Sequence, residues 1–233
     1  MVDLESKNSI KYKLFRESLP HDHLLNEKET QIVVGNSNIA IFRKKDNIFR
    51  QGTRTSHIMI VTSGLVKITK EGRNNRLIIL KLALPGEYIG LLSVLGNQIH
   101  QYSATAVEET AICFIDINVF KNVILDNGKF GLQLLNIISK EGLYIFDRLM
   151  NQTQKQLPGR IADVLLYFIN EVYHSQKFSF PLTRRELAQL AGTTKESFIR
   201  TLTEFRNDKI IALNGSEVEI ISMDIVNTLS EFG

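Results

Sequence analysis

Residues 181–221 read PLTRRELAQLAGTTKESFIRTLTEFRNDKIIALNGSEVEII, and the local signals in this stretch decide the fold. Thr183 and Glu186 have the spacing of a capping box, which predicts the start of a helix. Thr193 and Glu196 repeat that spacing and predict the start of a second helix. Because so few residues separate the two helices, the stretch predicts a helix-turn-helix.

Two further signals complete this unit. Gly192 lies between the helices and predicts the end of the first, because glycine adopts a left-handed backbone at little cost. Asn214-Gly215 separates the apolar runs 210–213 and 218–221. Asn-Gly between apolar runs is the strongest short-range signal for a β-hairpin. A hairpin directly after the second helix predicts a winged helix-turn-helix.

The second predicted helix has two different faces. Phe198, Leu202 and Phe205 repeat at helical spacing on one side. The other side carries polar residues and an arginine near the helix N-terminus, which is typical of helices that read the major groove. Residues 182–211 contain six Lys or Arg and four Asp or Glu, so charge adds little. Charged residues are also ordinary on a solvated helix face, but the caps, turn and hairpin together favour DNA binding.

The composition of the whole chain excludes several classes of protein. Its 233 residues are 43% hydrophobic and carry a net charge of +3, which suits one or two globular domains. No apolar run reaches the roughly 18 residues of a membrane span, and the polar N-terminus does not resemble a signal peptide. The single Cys113 excludes an internal disulfide and a clustered-cysteine metal site. We therefore expect a cytoplasmic protein without membrane contact.

Residues 39–116 show short apolar runs separated by turn signals. This regular alternation predicts a β-roll or jelly roll. The run 57–62 is apolar on both faces for part of its length, as in a strand buried within a roll. The predicted strands are 39–42, 47–52, 57–64, 65–70, 76–84, 102–109 and 111–116.

Residues 129–154 contain no proline and predict one long helix of nearly 40 Å at about 1.5 Å per residue. Apolar or small residues step by three and four along it, as in a coiled-coil seam. The alternative is that the helix only packs on the roll. The predicted dimer seam consists of Leu135, Ile138, Gly142, Ile145 and Leu149.

Leu157-Pro158-Gly159 predicts a break after this helix. We therefore expect three segments: a sensor domain at 1–128, a dimerisation helix at 129–156 and a DNA-binding domain at 157–233.

Two other functions are compatible with parts of the chain. His21 and His23, with Glu27 downstream, could form a metal site in a β-roll metalloenzyme. A ligand-binding interaction module without DNA activity is the second alternative. The other histidines are widely scattered, so we assign no metal, no cofactor and no enzymatic activity.

The order of roll, long helix and winged helix-turn-helix resembles the cyclic-AMP receptor and fumarate–nitrate regulator (Crp/Fnr) family of bacterial transcription factors. The most specific segments are PGEYIG (85–90), GRIA (159–162), TRRELA (183–188) and KESFIR (195–200). The resemblance implies an α+β fold with a cyclic-nucleotide-binding-like roll. It also implies symmetric dimers on a palindromic operator, in which a ligand in the roll shifts the dimer helix.

The resemblance also assigns roles in DNA binding. Glu196 and Arg200 match the base-reading glutamate and arginine of the family. Lys195 stands where the cyclic-AMP receptor has an arginine, and Ile199 where the oxygen-sensing branch has a serine. The full set of expected DNA contacts is Thr183, Arg184, Lys195, Glu196, Ser197, Ile199, Arg200, Thr203 and Arg206.

The sensor half departs from the cyclic-AMP receptor. Leu91 occupies the position of its ribose-binding glutamate, and residues 99–103 lack its phosphate-binding arginine. A cyclic phosphate would lack its cation, so we expect an unknown small-molecule effector other than cyclic AMP. The resemblance leaves a contact with RNA polymerase open. The expected effector pocket comprises Gly86, Glu87, Gly90, Leu91, Gln101, Tyr102, Ser103, Ile145 and Phe146.

Overall fold

The computed structural model of the protein describes residues 22–73 and 76–233. The chain divides into two compact units. The first comprises residues 1–76 and 80–142, and the second comprises residues 77–79 and 143–233. The division falls inside the long helix, after Gly142. The expected three segments, with boundaries after residues 128 and 156, therefore remain a prediction.

Strands dominate residues 37–116, and one helix precedes and one follows them. The elements are α1 Glu27–Gly35, β1 Ser37–Phe42, β2 Asn47–Phe49, β3 His57–Ser63, β4 Val66–Glu71, β5 Leu77–Ala83, β6 Tyr88–Ile89, α2 Leu91–Leu95, β7 Ser103–Ala106, β8 Thr110–Asp116 and α3 Ile117–Asp126.

The strands form two four-stranded sheets, ordered β1-β8-β3-β6 and β2-β7-β4-β5. Side chains alternate along β3, so Met59 and Val61 pack in a cluster with residues of both sheets. Ile58 and Ile60 pack on the opposite face in a cluster with residues of the helices. The predicted burial of this strand on both faces is therefore confirmed, and so is the predicted β-roll.

A helix of 27 residues, α4 (Gly128–Gln154), follows the roll and is about 40 Å long. Its first turns bury Phe130 and Leu134 in the cluster that contains Ile58 and Ile60. The long helix ends before α5 (Leu157–Tyr167). Pro158 lies in the first turn of α5, where a backbone N–H would have no intrahelical acceptor, so its missing N–H costs nothing. The predicted long helix and its break are both confirmed.

The remaining elements form the predicted winged helix-turn-helix. They are a π-helical turn at Phe168–Tyr173, β9 Lys177–Ser179, α6 Arg184–Leu190, α7 Lys195–Asn207, β10 Ile211–Asn214, β11 Glu217–Ile220 and α8 Met223–Phe232. The hairpin of β10 and β11 turns at Gly215, as the Asn-Gly signal predicts, and β9 adds a third strand that the sequence pattern did not indicate. Within the described residues, no helix combines the length and hydrophobicity required to cross a membrane.

Candidate nucleic-acid interface

The first helix of the motif begins with the predicted capping box. The backbone N–H of Thr183 donates to Glu186 Oε2 at 2.8 Å, and the N–H of Glu186 donates to Thr183 Oγ1 at 3.3 Å. The Thr183 hydroxyl also donates to Glu186 Oε2, at 2.7 Å. These bonds satisfy free donors of the first turn. They also engage the hydroxyl of Thr183, which is one of the expected DNA contacts.

The turn between the helices corrects one prediction. Gly192 has a φ of +65° and the N–H of Thr193 donates to the carbonyl of Ala188 at 2.9 Å. That bond belongs to a Schellman ending of α6. Thr193 is therefore part of the first helix's C-cap, and the predicted capping box of Thr193 and Glu196 is wrong. Thr194 is the N-cap of α7, and its Oγ1 accepts from the N–H of Ser197 at 3.2 Å.

Two arginines outside the motif hold this turn in place. Arg148 of α4 donates to the carbonyl of Leu190 at 2.9 Å, and Arg160 of α5 donates to the carbonyl of Gly192 at 3.0 Å. Carbonyls at a helix C-terminus lack intrahelical donors, so these guanidinium groups complete the end of α6. Neither contact was visible in the local sequence pattern.

The two faces of α7 differ as the sequence predicts. Phe198, Leu202 and Phe205 are buried. Lys195, Glu196 and Arg200 are exposed on the other side. Arg200 lies 4.0 Å from Glu204, but both side chains are more than half exposed, so this ion pair is weak.

The other expected contacts surround these three residues. Ile199 is 39% exposed, and Arg206 is exposed near the end of the helix. Ser197 is half-buried, and the Thr203 hydroxyl donates back to the Ile199 carbonyl at 2.8 Å. The hydroxyl-bearing residues Ser197 and Thr203 are therefore less accessible than Ile199 and Arg206.

Arg184 has a role that the sequence did not indicate. Its guanidinium donates to the carbonyl of Gly215 in the wing. It also lies 5.2 Å from the centre of the Phe180 ring, within cation–π range. Burial lowers the pKa of Arg184. This side chain joins α6 to the wing, so only part of its guanidinium is free for a phosphate.

The predicted effector pocket is only partly assembled in the roll. Tyr102 and Gly90 meet directly, because the Gly90 N–H donates to Tyr102 Oη at 3.0 Å. Lys81 Nζ donates to Glu87 Oε2 at 2.9 Å and to Glu141 Oε1 at 3.3 Å. Lys81 and Glu141 lie 60 residues apart, and sequence reasoning identified neither.

Burial and charge perturb two groups of this network. Burial raises the pKa of Tyr102, and the nearby charge of Glu141 raises it further. Burial by itself lowers the pKa of Lys81, but the carboxylates of Glu87 and Glu141 outweigh it and leave the pKa raised. Lys81 is therefore a cation and Tyr102 a neutral phenol at neutral pH.

The remaining pocket candidates have different local surroundings. Leu91 is buried in the apolar cluster with Ile58, and Ser103 Oγ accepts from the N–H of Gln51 at 2.9 Å. Gly86 forms a turn with a φ of +88°, and Gln101 is exposed. Ile145 and Phe146 are at least half exposed on α4.

The predicted dimer seam is largely exposed. Leu135, Ile145 and Leu149 are each at least half exposed, and a Cβ built on Gly142 would meet no atom within 4 Å. Ile138 differs, because it is half-buried and packs against the apolar cluster of the roll. Exposed neighbours extend the apolar stripe beyond the predicted seam. They are Leu132, Leu143, Phe146 and Met150.

The alternative metal site receives no geometric support. His21 lies outside the described residues, and His23 is exposed. In the part of the chain that the structure describes, no three histidine, cysteine or acidic side chains form a group able to hold a metal.

Comparison with known protein families finds one matching domain in each half of the chain. Residues 40–127 match the cyclic nucleotide-binding domain, and residues 159–225 match the Crp-like helix-turn-helix domain. The CRP-like cAMP-activated global transcriptional regulator of Mycobacterium tuberculosis is 26% identical over 183 residues, which are 77% of this chain and 82% of that protein. The transcriptional activator protein Anr of Pseudomonas protegens is 27% identical over 183 residues, 77% of this chain and 75% of that protein.

The chain belongs to the Crp/Fnr family. Solved structures of Crp/Fnr regulators share its fold. FixK2 from Bradyrhizobium japonicum has a TM-score of 0.76 at 19% identity, covering 83% of this chain and 96% of that chain. The c-di-GMP responsive global regulator CLP of Xanthomonas campestris has a TM-score of 0.71 at 19% identity, covering 84% and 99%. Its curated Crp/Fnr relatives are transcriptional regulators rather than enzymes.

Proposed function

We propose that this Crp/Fnr protein is a homodimeric, sequence-specific DNA-binding transcriptional regulator whose roll responds to an effector other than cyclic AMP. The observation that carries the proposal is the two-sided recognition helix α7. Its inner face is buried around Phe198, so the helix is held rigidly, and its first two turns project charged side chains into solvent. A helix of this kind fits the major groove.

The exposed side chains match the chemistry of base edges. Arg200 can donate two parallel hydrogen bonds to the N7 and O6 atoms of guanine, and Glu196 can accept from the N4 amino group of cytosine. Lys195 can reach a base or a phosphate but lacks the bidentate fork of arginine. Arg206 and the helix N-terminus around Thr183 are candidates for phosphate contacts.

The long helix supports the homodimer. Its exposed stripe of leucines and Phe146 would leave a large apolar surface in water if the chain were a monomer. Pairing two such stripes in a coiled coil buries them. In a symmetric dimer the two recognition helices would then read half-sites about 34 Å apart, one turn of the duplex.

The roll supports an effector other than cyclic AMP. Lys81, which pairs with Glu87 of the expected pocket, also pairs with Glu141, so the Lys81–Glu87–Glu141 group is net negative. The backbone N–H of Gly90 already donates to Tyr102 Oη. A cyclic phosphate would have to displace these contacts and would meet a negative field. The effector would act by changing how the α4 helices pack.

Selection from a random duplex library by the full-length protein tests this function. We expect enrichment of a palindrome, with affinity that falls as salt rises. Binding that remains weak and indifferent to sequence, with and without cell-extract metabolites, would contradict the proposal.

Sedimentation of a Leu143→Glu/Phe146→Glu variant tests the dimer. Burying two acids in a coiled-coil seam should weaken self-association by at least about 100-fold, since each unpaired buried charge is destabilising by kcal/mol amounts. Leu125→Glu is the matched control, because Leu125 is 82% exposed on α3 rather than on the stripe. A double variant that sediments like the control would contradict the seam.

A further inference from the structure

A cavity of about 460 Å³ lies in the roll, between the Asn47–Ser56 segment, the start of β3 and His100. This volume falls within the range of roughly 300–1,000 Å³ that is usual for small-molecule sites. The cavity shares no residue with the effector pocket expected from the family resemblance. Two of its lining residues, Met59 and His100, lie beside Gly90 of that pocket, so the cavity adjoins the expected pocket without overlapping its residues.

The wall of the cavity is held by backbone hydrogen bonds. The N–H of Gly52 donates to the carbonyl of His100 at 2.8 Å, and the N–H of His100 donates to the carbonyl of Thr53 at 2.9 Å. These bonds join the loop before β3 to the segment before β7. The side chains on this loop consequently project from a fixed backbone.

The charged side chains that line the cavity are all basic. Arg50 and Arg54 are exposed and form no side-chain hydrogen bond or ion pair with any residue that the structure describes. Among the described residues no Asp or Glu lines the cavity, and His57 is also part of the lining. A guanidinium matches the planar geometry of carboxylate or phosphate oxygens. The cavity therefore favours an anion.

The rest of the lining is apolar and includes a buried histidine. Phe49, Met59 and Phe114 form apolar wall. His100 is 2% exposed and stacks on Phe49 with ring centres 3.8 Å apart. Within the described residues, His100 Nδ1 has no hydrogen-bond partner. Buried polar atoms are rarely left without one, so a ligand group that reaches this nitrogen would gain a hydrogen bond.

We propose that this cavity binds a small organic anion whose carboxylate or phosphate meets Arg50 and Arg54 and whose apolar part packs against Phe49, Met59 and Phe114. Binding at this site requires nothing of the DNA-binding domain. Its use as the effector site rests on the proposed regulatory function. The backbone supports that use, because the Ser56 carbonyl in the cavity wall accepts from the N–H of Ile117 at 3.1 Å, at the start of α3.

Calorimetric titration of the full-length protein tests the site. Phenyl phosphate and benzoate serve as anionic probes, and phenol is the uncharged probe with the same ring. We expect at least one anion to bind about tenfold more tightly than phenol, since hydrogen bonds to charged groups are the stronger class. Binding of neither anion, or equal binding of phenol, would overturn the proposal.

Matched variants locate the binding. Arg50→Ala/Arg54→Ala should weaken binding of the anion at least about tenfold, because both guanidinium donors are lost. Arg43→Ala/Arg76→Ala removes two exposed arginines of the same half of the chain that do not line the cavity, and should leave binding unchanged. Thermal melts check that both variants are folded. Equal weakening by both pairs would place the anion outside the cavity.

A last measurement distinguishes binding of the anion in the cavity from use of the cavity as the effector site. The selected duplex is titrated with and without saturating anionic probe. A change in duplex affinity that the Arg50→Ala/Arg54→Ala variant loses supports the effector role. Calorimetric binding without any such change leaves the binding site standing and overturns its role as effector site. Failure of the protein to bind any duplex would count against the proposed function alone.

Discussion

The recognition helix and the Lys81–Glu87–Glu141 network of the roll contain the same kinds of charged residue in different environments. On α7, Lys195, Glu196 and Arg200 project into solvent, and Arg200 forms a long, exposed ion pair with Glu204. In the roll, Lys81 is about one-fifth exposed and is held between two carboxylates. Tyr102 Oη likewise accepts from the roll's own backbone.

The charged side chains of α7 are available to a binding partner, whereas the polar groups of the roll network already pair with one another. A polar group already paired within the protein gains little from a ligand, because binding must first break the internal contact. A polar side chain on an exposed helix gives up only its hydrogen bonds to water when it binds a partner. Substitutions should therefore change stability in the roll and change recognition on α7.

Lys81→Met gives the largest expected effect. It leaves Glu87 and Glu141 without their shared cation, and breaking a largely buried ion pair by removing one partner is strongly destabilising. Because the side chain keeps some exposure, we expect the free energy of unfolding to fall by about 2–3 kcal/mol. Urea denaturation measures it. Lys44→Met, on an exposed loop, should change it by less than about 0.5 kcal/mol.

If the urea denaturation midpoint of Lys81→Met is unchanged, the contrast between the roll network and α7 does not hold for Lys81. It would mean that the ion pairs of Lys81 contribute as little as exposed ones. The expected effector pocket would then have a cation available for a cyclic phosphate, contrary to the proposed effector other than cyclic AMP.

Arg200→Ala should have the complementary effect. Stability should remain within about 0.5 kcal/mol, because the side chain is exposed. Discrimination at one base pair of each half-site should fall by about 1–3 kcal/mol. Competition between the selected duplex and single-substitution duplexes measures this. Equal loss on all sequences would instead make Arg200 a phosphate contact.

Most of the fold could be predicted because its signals are local. The Thr183–Glu186 box, the Asn214-Gly215 turn and the alternation of β3 each act within a few residues. The roll's strands are confirmed for the same reason, with shifts of a few residues at their ends. The sequence did not predict β6, which has two residues, or β9, which has three, because so short a segment carries no periodicity.

The candidate sites were less predictable because they depend on contacts between distant residues. Lys81 meets Glu141 across 60 positions, and Arg148 reaches the Leu190 carbonyl across 42. Ile138 fits the heptad by spacing, yet it packs against the roll. Sequence periodicity identifies a helix face, but it does not specify which neighbour covers that face.

Tyr102→Phe tests the roll on a smaller scale. Removal of the hydroxyl leaves the Gly90 N–H without its acceptor. An unsatisfied, partly buried donor should lower the free energy of unfolding by about 1–2 kcal/mol. Denaturation of the full-length protein measures the change. If the variant is as stable as the wild type, water replaces the phenol and the Tyr102 position is available to a ligand.

The smallest effect concerns the turn that aims the recognition helix. Thr194→Ala removes the N-cap acceptor of the Ser197 N–H and should lower the free energy of unfolding by about 1 kcal/mol. Thr193→Ala is the matched control. Its backbone N–H keeps the Schellman bond to Ala188, and its hydroxyl forms no hydrogen bond within the described residues, so the change should stay within about 0.5 kcal/mol. Because both substitutions remove the same atoms one residue apart, thermal denaturation compares them directly. A larger loss for Thr193→Ala would restore the capping box that the sequence spacing predicts and would move the start of α7, and with it the register of Glu196 and Arg200, by one residue.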